Sequence, residues 1–258
     1  MSIRSKIPVI LLVSALAGLT GCATRGDVEA MSAQEFEKMR TQMPITTNAT
    51  ERAYVRCVVG KVVATLPAPY NTMDWDVEVF DDEAVNAFAM AGGKIGVFNG
   101  IFQVATNQDQ LAAVIGHEIA HVTEDHTMEQ IQRAQVAGGA ATAGSILAGA
   151  YGVDPNATYA VLDGAAQLGL MLPYGRAAEK EADLVGLDYM AAAGFDPRQS
   201  VQLWKNMAAL NDGAPPEFLS THPSPENRTG ELISQMPQAL VLYNEAKAKG
   251  RTPYCLPR

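Results

Sequence analysis

The chain has 258 residues, of which 48% are hydrophobic, and its formal net charge is −9 at pH 7. That length allows one good-sized domain or two small ones, and the hydrophobic content is sufficient for a packed core, which excludes a disordered chain. Acidic residues outnumber basic ones by 28 to 19, and this balance argues against a nucleic-acid-binding protein.

Residues 1–21 are predicted to be a signal peptide that is removed. Arg4 and Lys6 form a basic start, and the uncharged apolar run that follows is too short for a comfortable membrane span. The run ends in Leu-Thr-Gly-Cys at Cys22, which resembles a bacterial lipobox whose cysteine becomes lipidated. An ordinary secretory signal that happens to contain a cysteine is the alternative. The next residue is Ala23, not aspartate, which by resemblance to Gram-negative lipoproteins suggests stable anchoring at the periplasmic face of the outer membrane.

Residues 22–48 are polar with a weak helical patch around Ala33–Arg40, and they are predicted to form a lipidated tether and a peripheral helix. The first core helix is predicted over Glu51–Leu66, where valines recur at helical spacing before a Pro-Ala-Pro run. Cys57 lies in this helix, and Cys255 near the C-terminus is the other cysteine that remains after processing. In an exported chain these two favour a disulfide, with two free thiols as the alternative.

A β-hairpin is predicted next. Alternating apolar and polar residues predict a strand over Trp75–Phe80, and a second apolar run covers Asn86–Met90. Gly92 and Gly93 supply a turn, and Lys94–Phe98 is the return strand of a small antiparallel sheet. A peptide substrate could add as a further strand on the exposed edge, since the glycines allow another backbone to approach. The alternative is that the glycines serve only the turn and a bulge.

The next predicted helix carries an H-E-x-x-H motif at His117, Glu118 and His121. The two histidines are four residues apart on one helix face, so both can bind one metal ion. Glu118 is then placed to act as the general base on a metal-bound water. A surface helix with two ordinary histidines is the alternative. Thr106 is predicted to cap this helix, with Asp109 as its capping-box partner.

Two Ala/Gly-rich stretches follow, at residues 136–153 and 159–174. They are predicted to be close-packed helices, with a membrane-facing or mobile flap as the alternative. Further helices are predicted over Arg176–Ala193, from Asp196-Pro197 onward, from Ser224-Pro225 onward and over Ala239–Ala248.

A third metal ligand has to come from elsewhere in the chain, because zinc in a hydrolase typically has three protein ligands and a water. Glu179 and Asp183 are four residues apart and share a helix face, whereas Glu181 points the opposite way. Glu179 is therefore the candidate ligand, and Asp183 is the candidate acceptor of a hydrogen bond from a ligand imidazole. Glu181 is predicted to be solvated or in a surface ion pair. Taken alone, the segment could also be an exposed acidic turn.

Together these motifs resemble the gluzincin metallopeptidases of the HtpX and CAAX prenyl protease type, and within them a small periplasmic branch of lipoproteins and chaperone-like proteases. The resemblance covers about residues 50–237. It rests on H-E-x-x-H, on E-x-x-A-D at Glu179, on Asn86–Ala89, on Gly92-Gly93, on Gly116 and on Thr221-His222-Pro223. It implies an α+β, mainly helical zincin-like domain over residues 49–258. It also implies one Zn²⁺ per chain, held by His117, His121 and Glu179.

The resemblance implies further site residues. His222 could reach the zinc and close the site, or donate to the oxyanion in an open state, or simply cap a neighbouring helix as a loop histidine. Arg228 matches a family arginine near the cleft and could bind substrate or hold acidic partners. His126 lies outside the ligand spacing and is predicted to be structural. The substrate-binding residues that the resemblance implies are Asn86, Ala87, Phe88 and Ala89.

The resulting hypothesis is a zinc metalloendopeptidase, lipid-anchored at the periplasmic face of the bacterial outer membrane, that acts on misfolded or unassembled envelope proteins. This substrate class, and outer-membrane assembly machinery as a partner, follow from the resemblance alone. A zinc-containing chaperone or assembly factor with little proteolysis is the first alternative, and a closed site with His222 as fourth ligand favours it. A purely structural metal lipoprotein is the second, and it predicts that Glu118 is unimportant.

Overall fold

A computed structural model describes residues 23–133, 174–210, 217–223 and 227–255. Its elements are α1 (Arg25–Gln42), α2 (Ala49–Val63), β1 (Asp76–Phe80), β2 (Ala87–Met90), β3 (Lys94–Phe98), a 3₁₀ turn (Asn99–Gln103), α3 (Gln108–Thr123), α4 (residues 126–133), α5 (Arg176–Ala192), α6 (Arg198–Ala209), α7 (Glu217–Thr221) and α8 (Arg228–Ala248). The fold is α+β and mainly helical, as predicted. The signal peptide, Cys22 and the stretch 136–153, with nearly all of 159–174, lie outside the described residues. Within the described ranges, no helix is both long and apolar enough to cross a membrane.

The small sheet has the strand order β1-β3-β2. The predicted hairpin is confirmed, because β2 runs antiparallel to β3 and the turn between them holds Gly92 and Gly93 at φ +74°. β1, however, runs parallel to β3, so the sheet is mixed and not antiparallel. The connection from β1 to β2 crosses the end of β3, where the Gly100 N–H donates to Asp82 O at 2.9 Å. A side chain at Gly100 would meet the carbonyl oxygen of Glu83 at 2.2 Å, so this crossing requires glycine.

Most of the segment predicted to be a tether with a peripheral helix is helix α1, which packs on the sheet. Thr24 and Asp27 form a capping box that starts α1, so the helix begins at Arg25 and not near residue 33. Its buried residues are Val28, Ser32 and Phe36, spaced one helical turn apart. Such a narrow buried stripe on a polar helix leaves little apolar pattern in the sequence. The predicted boundary between residues 48 and 49 stays a prediction.

Helix α3 lies at the centre of the molecule. All its residues from Gln110 to Val122 are buried, and it contacts α2, α5, α6 and β2. Its N-cap is Asn107 and not Thr106, because the Asn107 side chain accepts from two backbone N–H groups at the helix start. The predicted capping-box partner, Asp109, instead accepts the backbone N–H of Asp196 at 2.9 Å. The polar start of α3 is therefore tied to the loop before α6.

The C-terminal helix α8 is continuous where the sequence predicts two helices. Pro237 lies inside it, and a proline leaves the carbonyl of Ile233 without its helical partner. Ile233 is 56% exposed, so water can solvate that carbonyl. Leu232 and Ala239 are buried, and they hold the parts of α8 before and after Pro237 against the core. Beyond α8, Cys255 forms a disulfide with Cys57 of α2, 198 residues away in sequence.

Candidate metal centre

The site is built where α3 and α5 cross with their backbones in contact. A Cβ atom at Gly116 would lie 2.6 Å from the carbonyl oxygen of Gly186, and one at Gly186 would lie 2.6 Å from the backbone nitrogen of His117. Glu179 and Asp183 share a face of α5 with Gly186, since the three are spaced by four and three residues. The glycine contact therefore brings both carboxylates against α3.

Four buried side chains place their donor atoms together. His117 Nε2 lies 3.1 Å from His121 Nε2 and 3.2 Å from His222 Nδ1. Glu179 Oε1 lies 3.1 Å from His222 Nδ1 and 3.4 Å from His121 Nε2. One ligand atom from each of the four residues lies within 4.8 Å of every other. The structure thus brings together the three predicted ligands and His222.

This group fits a zinc ion in geometry and in charge. Ligand atoms around tetrahedral zinc, at bond lengths of about 2.0–2.1 Å, lie roughly 3.3–3.4 Å apart, close to the distances between these donors. Burial lowers the pKa of His117 and of His121, so both imidazoles are neutral and keep a lone pair for a metal. Burial opposes the ionisation of Glu179, but its contacts with His121 and His222 outweigh burial and lower the pKa of Glu179. Neutral imidazoles and a carboxylate are ligands that suit zinc.

Arg228 holds two of the acidic residues of α5, Glu179 and Asp183, in place. Its Nε donates to Asp183 Oδ2 at 2.6 Å and its Nη2 donates to Glu179 Oε2 at 2.7 Å, while the guanidinium lies 3.8 Å from the centre of the Trp204 ring. Arg228 is only 3% exposed in this structure, so its predicted substrate-binding role stays a prediction. Its other predicted role, holding acidic partners, agrees with these contacts. Asp183 Oδ1 lies 3.0 Å from His117 Nδ1, the position predicted for an acceptor from a ligand imidazole.

Glu118 lies next to the four donors, and only one of its two carboxylate oxygens accepts a hydrogen bond from the described residues. Its Oε2 accepts the backbone N–H of Ala89 at 3.1 Å. Its Oε1 is buried without a hydrogen-bond partner in the described part of the chain, and it lies 3.5 Å from His222 Nε2. Burial raises the pKa of Glu118 to about 7. A carboxylate with a pKa near neutrality can both accept and return a proton.

The edge of β2 faces Glu118 through its backbone. Because the Phe98 N–H donates to Asn86 O, the alternate residues Ala87 and Ala89 turn their backbone groups away from β3. The Ala87 N–H is bonded to the Asn86 side chain at 2.9 Å, and the Ala89 N–H is bonded to Glu118. The side chains of Ala87 and Ala89 are buried in the core. Because both N–H groups are already bonded, a peptide that adds to this edge would use the outward backbone carbonyls of these residues and leave the bond from Ala89 to Glu118 intact.

The side chain of Phe88 does not belong to this edge. Its ring covers Gly96 of β3, where a Cβ atom would lie 2.2 Å from the Phe88 ring. On the same face of the sheet, Phe88 packs edge-on against Phe36 of α1 at 6.3 Å between ring centres. The Phe88 ring thus fills the space that Gly96 leaves, so this space is not open to another backbone, and the substrate-binding role of Phe88 stays a prediction.

Two side chains near His121 were not predicted as part of the site. His126 Nδ1 lies 3.0 Å from His121 Nδ1, and the Tyr174 ring stacks on the His121 ring at 3.9 Å between centres. The Tyr174 hydroxyl in turn lies 3.0 Å from Thr127 Oγ1. No fixed spacing connects these residues to H-E-x-x-H, because the chain turns at Asp125, which has φ 58°, between α3 and α4. Proximity of a further histidine to the motif was the only signal in the sequence.

Comparison with known proteins identifies related chains. A model of Peptidase family M48 matches residues 49–235. The mitochondrial metalloendopeptidase OMA1 of Schizosaccharomyces pombe is 34% identical over 190 residues, which are 73% of this chain and 54% of that protein. The beta-barrel assembly-enhancing protease of Escherichia coli is 34% identical over 186 residues, 67% of this chain and 38% of that protein. The similarly named protease of Yersinia pestis is 29% identical over 234 residues, 86% of this chain and 46% of that protein.

The matched region spans only part of these relatives, from about half of the Schizosaccharomyces pombe protein to 38% of the Escherichia coli protein. It contains the metal centre and the sheet beside it.

Proposed function

The chain belongs to peptidase family M48, a family of metallopeptidases, and we propose that it is a zinc-dependent endopeptidase acting on misfolded or unassembled cell-envelope proteins. The observation that supports this chemistry is the buried group of His117, His121 and Glu179 beside Glu118 Oε1, which has no hydrogen-bond partner among the described residues. A structural metal site would not need an unpaired buried carboxylate oxygen next to it, because such an atom is costly to bury.

In peptide hydrolysis, three residues would bind the metal and Glu118 would transfer the proton. His117, His121 and Glu179 would hold the zinc, which when bound supplies a Lewis acid that activates water and polarises a carbonyl. Glu118 Oε1 takes the proton from the attacking water and later returns it to the departing amine nitrogen. The Ala89 N–H fixes the other oxygen, Oε2, so the carboxylate presents the same atom throughout.

Two observations support an envelope substrate. Bacterial relatives are named beta-barrel assembly-enhancing proteases, and the sequence carries the predicted lipidation site Cys22. Helix α1 begins at Arg25, three residues after that cysteine, and packs on the sheet. Three extended residues reach at most about 10–11 Å, so an anchor at Cys22 would hold the catalytic domain against the periplasmic face of the outer membrane.

His222 is proposed to gate the site. Its Nδ1 lies with the other three donors, and its Nε2 lies 3.5 Å from Glu118 Oε1. With zinc bound, His222 in this position would take the place of the water that hydrolysis requires, and it would have to move for a substrate to bind. The closed arrangement also favours a second candidate function, a zinc-containing chaperone or assembly factor that binds non-native envelope proteins and seldom cleaves them.

Cleavage of an unfolded outer-membrane protein by the zinc-loaded chain separates these functions. We expect Glu118→Gln to lower cleavage by about 10²–10⁴-fold, the usual contribution of a general base, with zinc content unchanged. Glu124→Gln, at the end of the same helix, is the matched control and should cleave like the parent chain. If Glu118→Gln still clears the client protein in cells as the parent does, proteolysis is not the main function and the assembly-factor role is correct.

The same cleavage assay tests whether His222 gates the site. If His222 only closes the site, His222→Ala should raise the rate of cleavage. A loss of cleavage with zinc retained would mean instead that His222 takes part in the reaction, for example by donating to the oxyanion.

A further inference from the structure

We propose that His126 is a positioning residue for the metal ligand His121, and that Glu181 acts on the site through His126. The inference rests on the proposed zinc site, since it concerns how one zinc ligand is oriented. The supporting contacts run from the metal ligand His121 through the buried imidazole of His126 to Glu181 at the surface.

The chain of contacts is continuous. His121 Nε2 faces the other donors, at 3.1 Å from His117 Nε2, while His121 Nδ1 lies 3.0 Å from His126 Nδ1. On the far side of the ring, His126 Nε2 lies 3.3 Å from Glu181 Oε2. The His126 side chain is 3% exposed and the Glu181 side chain is 57% exposed. The surface carboxylate thus reaches a zinc ligand through a single buried ring.

The positions of protons along this chain follow from the metal end. If His121 Nε2 binds the metal with its lone pair, the ring proton of a neutral His121 would reside on Nδ1. That proton can be donated only if His126 Nδ1 carries a lone pair, which places the proton of neutral His126 on Nε2. His126 Nε2 then donates to Glu181 Oε2. Each hydrogen bond has one donor and one acceptor, so Glu181 fixes the tautomer of His126 and His126 fixes that of His121.

The backbone turn between α3 and α4 is what places His126. Asp125 adopts φ 58°, a left-handed conformation that few residues other than glycine take up, and α4 restarts immediately after it. The Asp125 carboxylate accepts from Arg25 Nη2 of α1 at 2.7 Å. With this reversal, His126 faces back toward the last turn of α3 and not away from it. The next residue, Thr127, contacts the Tyr174 hydroxyl, and Tyr174 stacks on the His121 ring.

The Nδ1 atoms of the two candidate metal ligands therefore have different kinds of hydrogen-bond partner. His117 Nδ1 is paired with the carboxylate of Asp183, itself held by Arg228. His121 Nδ1 is paired with a second imidazole. A neutral imidazole orients its partner without adding another buried negative charge to a site that already holds Glu179 and Asp183. This is the physical reason for a histidine at position 126 and not a further acid.

Zinc affinity of the apo chain, measured by competition with a fluorescent chelator, tests the proposal without using peptidase activity. His126→Phe keeps the ring but removes both nitrogens, and we expect zinc to bind about 10–100-fold more weakly, the usual effect of losing a partner of a ligand. His126→Asn places an amide oxygen near the lost Nδ1 and should recover most of the affinity. Glu181→Ala should cause a smaller loss, and Glu129→Ala, an exposed acid on α4, should cause none.

Two further measurements distinguish a positioning role of His126 from a merely structural one: the double variant Glu181→Ala/His126→Phe and the absorption spectrum of the cobalt-substituted chain. If Glu181 acts through His126, Glu181→Ala should weaken zinc binding in the parent chain and have no further effect in His126→Phe. The visible absorption bands of the cobalt-substituted chain should shift in His126→Phe and return toward the parent in His126→Asn. Glu181 is exposed, so Glu181→Ala should fold, and an unchanged zinc affinity in that variant would overturn the role of Glu181 even if His126→Phe does not fold.

The outcomes separate this inference from the proposed function. If the parent chain binds zinc and His126→Phe binds it equally tightly, the positioning role is overturned while the peptidase assignment stands. An effect of Glu181→Ala that persists undiminished in His126→Phe overturns the route through His126. If the parent chain binds no zinc, both proposals fail together. Normal zinc binding in all variants but no cleavage by the parent would remove the peptidase assignment alone.

Discussion

Replacing Gly186 by alanine should separate the two helices that carry the metal ligands. The added Cβ would lie 2.6 Å from the His117 nitrogen and 2.7 Å from the carbonyl carbon of Gly116, and both are backbone atoms that no side-chain rotation can move. Ordinary contact begins at 3.4 Å, so α5 has to retreat by roughly 0.8 Å. Metal–ligand distances tolerate only about 0.2 Å. Glu179 and Asp183 would move with α5.

We therefore expect Gly186→Ala to destabilise the apo chain by about 1–3 kcal/mol through overpacking, a fall of about 2–12 °C in melting temperature for a domain of this size. Zinc should bind more weakly in the same variant. Thermal unfolding of the apo chain and chelator competition measure the two effects. Gly60→Ala is the matched control: Gly60 is helical with nothing within 4 Å of its Cβ position, so alanine there should be neutral or stabilising. If Gly186→Ala is as stable and binds zinc as tightly as Gly60→Ala, the crossing does not position the site.

Three further predictions concern what surrounds the site. Arg228→Met leaves two buried carboxylates without their cation, so we expect a loss of about 3–5 kcal/mol in denaturant unfolding and weaker zinc binding; an unchanged midpoint would contradict the buried ion pairs. Cys57→Ser removes the bond to Cys255 and should lower stability by about 2–5 kcal/mol with zinc affinity retained, and a loss of zinc would mean that the tail supports the site. Phe36→Ala should cost about 3–5 kcal/mol and speed proteolysis within α1, whereas α1 would be dispensable if cleavage stays as slow as in the parent.

The local part of the site could be predicted because it depends on helix geometry alone. Two histidines four residues apart must share a face, and the same spacing selected Glu179 over Glu181 for the metal side of α5. The hairpin was equally local, since two adjacent glycines require a tight turn between two short apolar runs. In each case the residues that determine the structure are neighbours in sequence.

What could not be predicted depends on contacts between distant segments. α1 buries only one residue per turn against the sheet, so its polar sequence resembles a tether until the sheet is present. The parallel pairing of β1 with β3 depends on a crossing that only Gly100 permits. The family resemblance suggested acidic partners for Arg228, but nothing in the sequence indicates that the Trp204 ring lies against its guanidinium. His126 reaches the site only through the left-handed residue before it.

The central claim is that the buried residues of α3 and α5 hold a zinc ion, and the metal content of the purified chain tests it most directly. We predict one zinc per chain in the parent protein and in Glu118→Gln, and none in the double variant His117→Ala/His121→Ala. A parent chain without zinc, or a double variant that keeps it, would contradict the account.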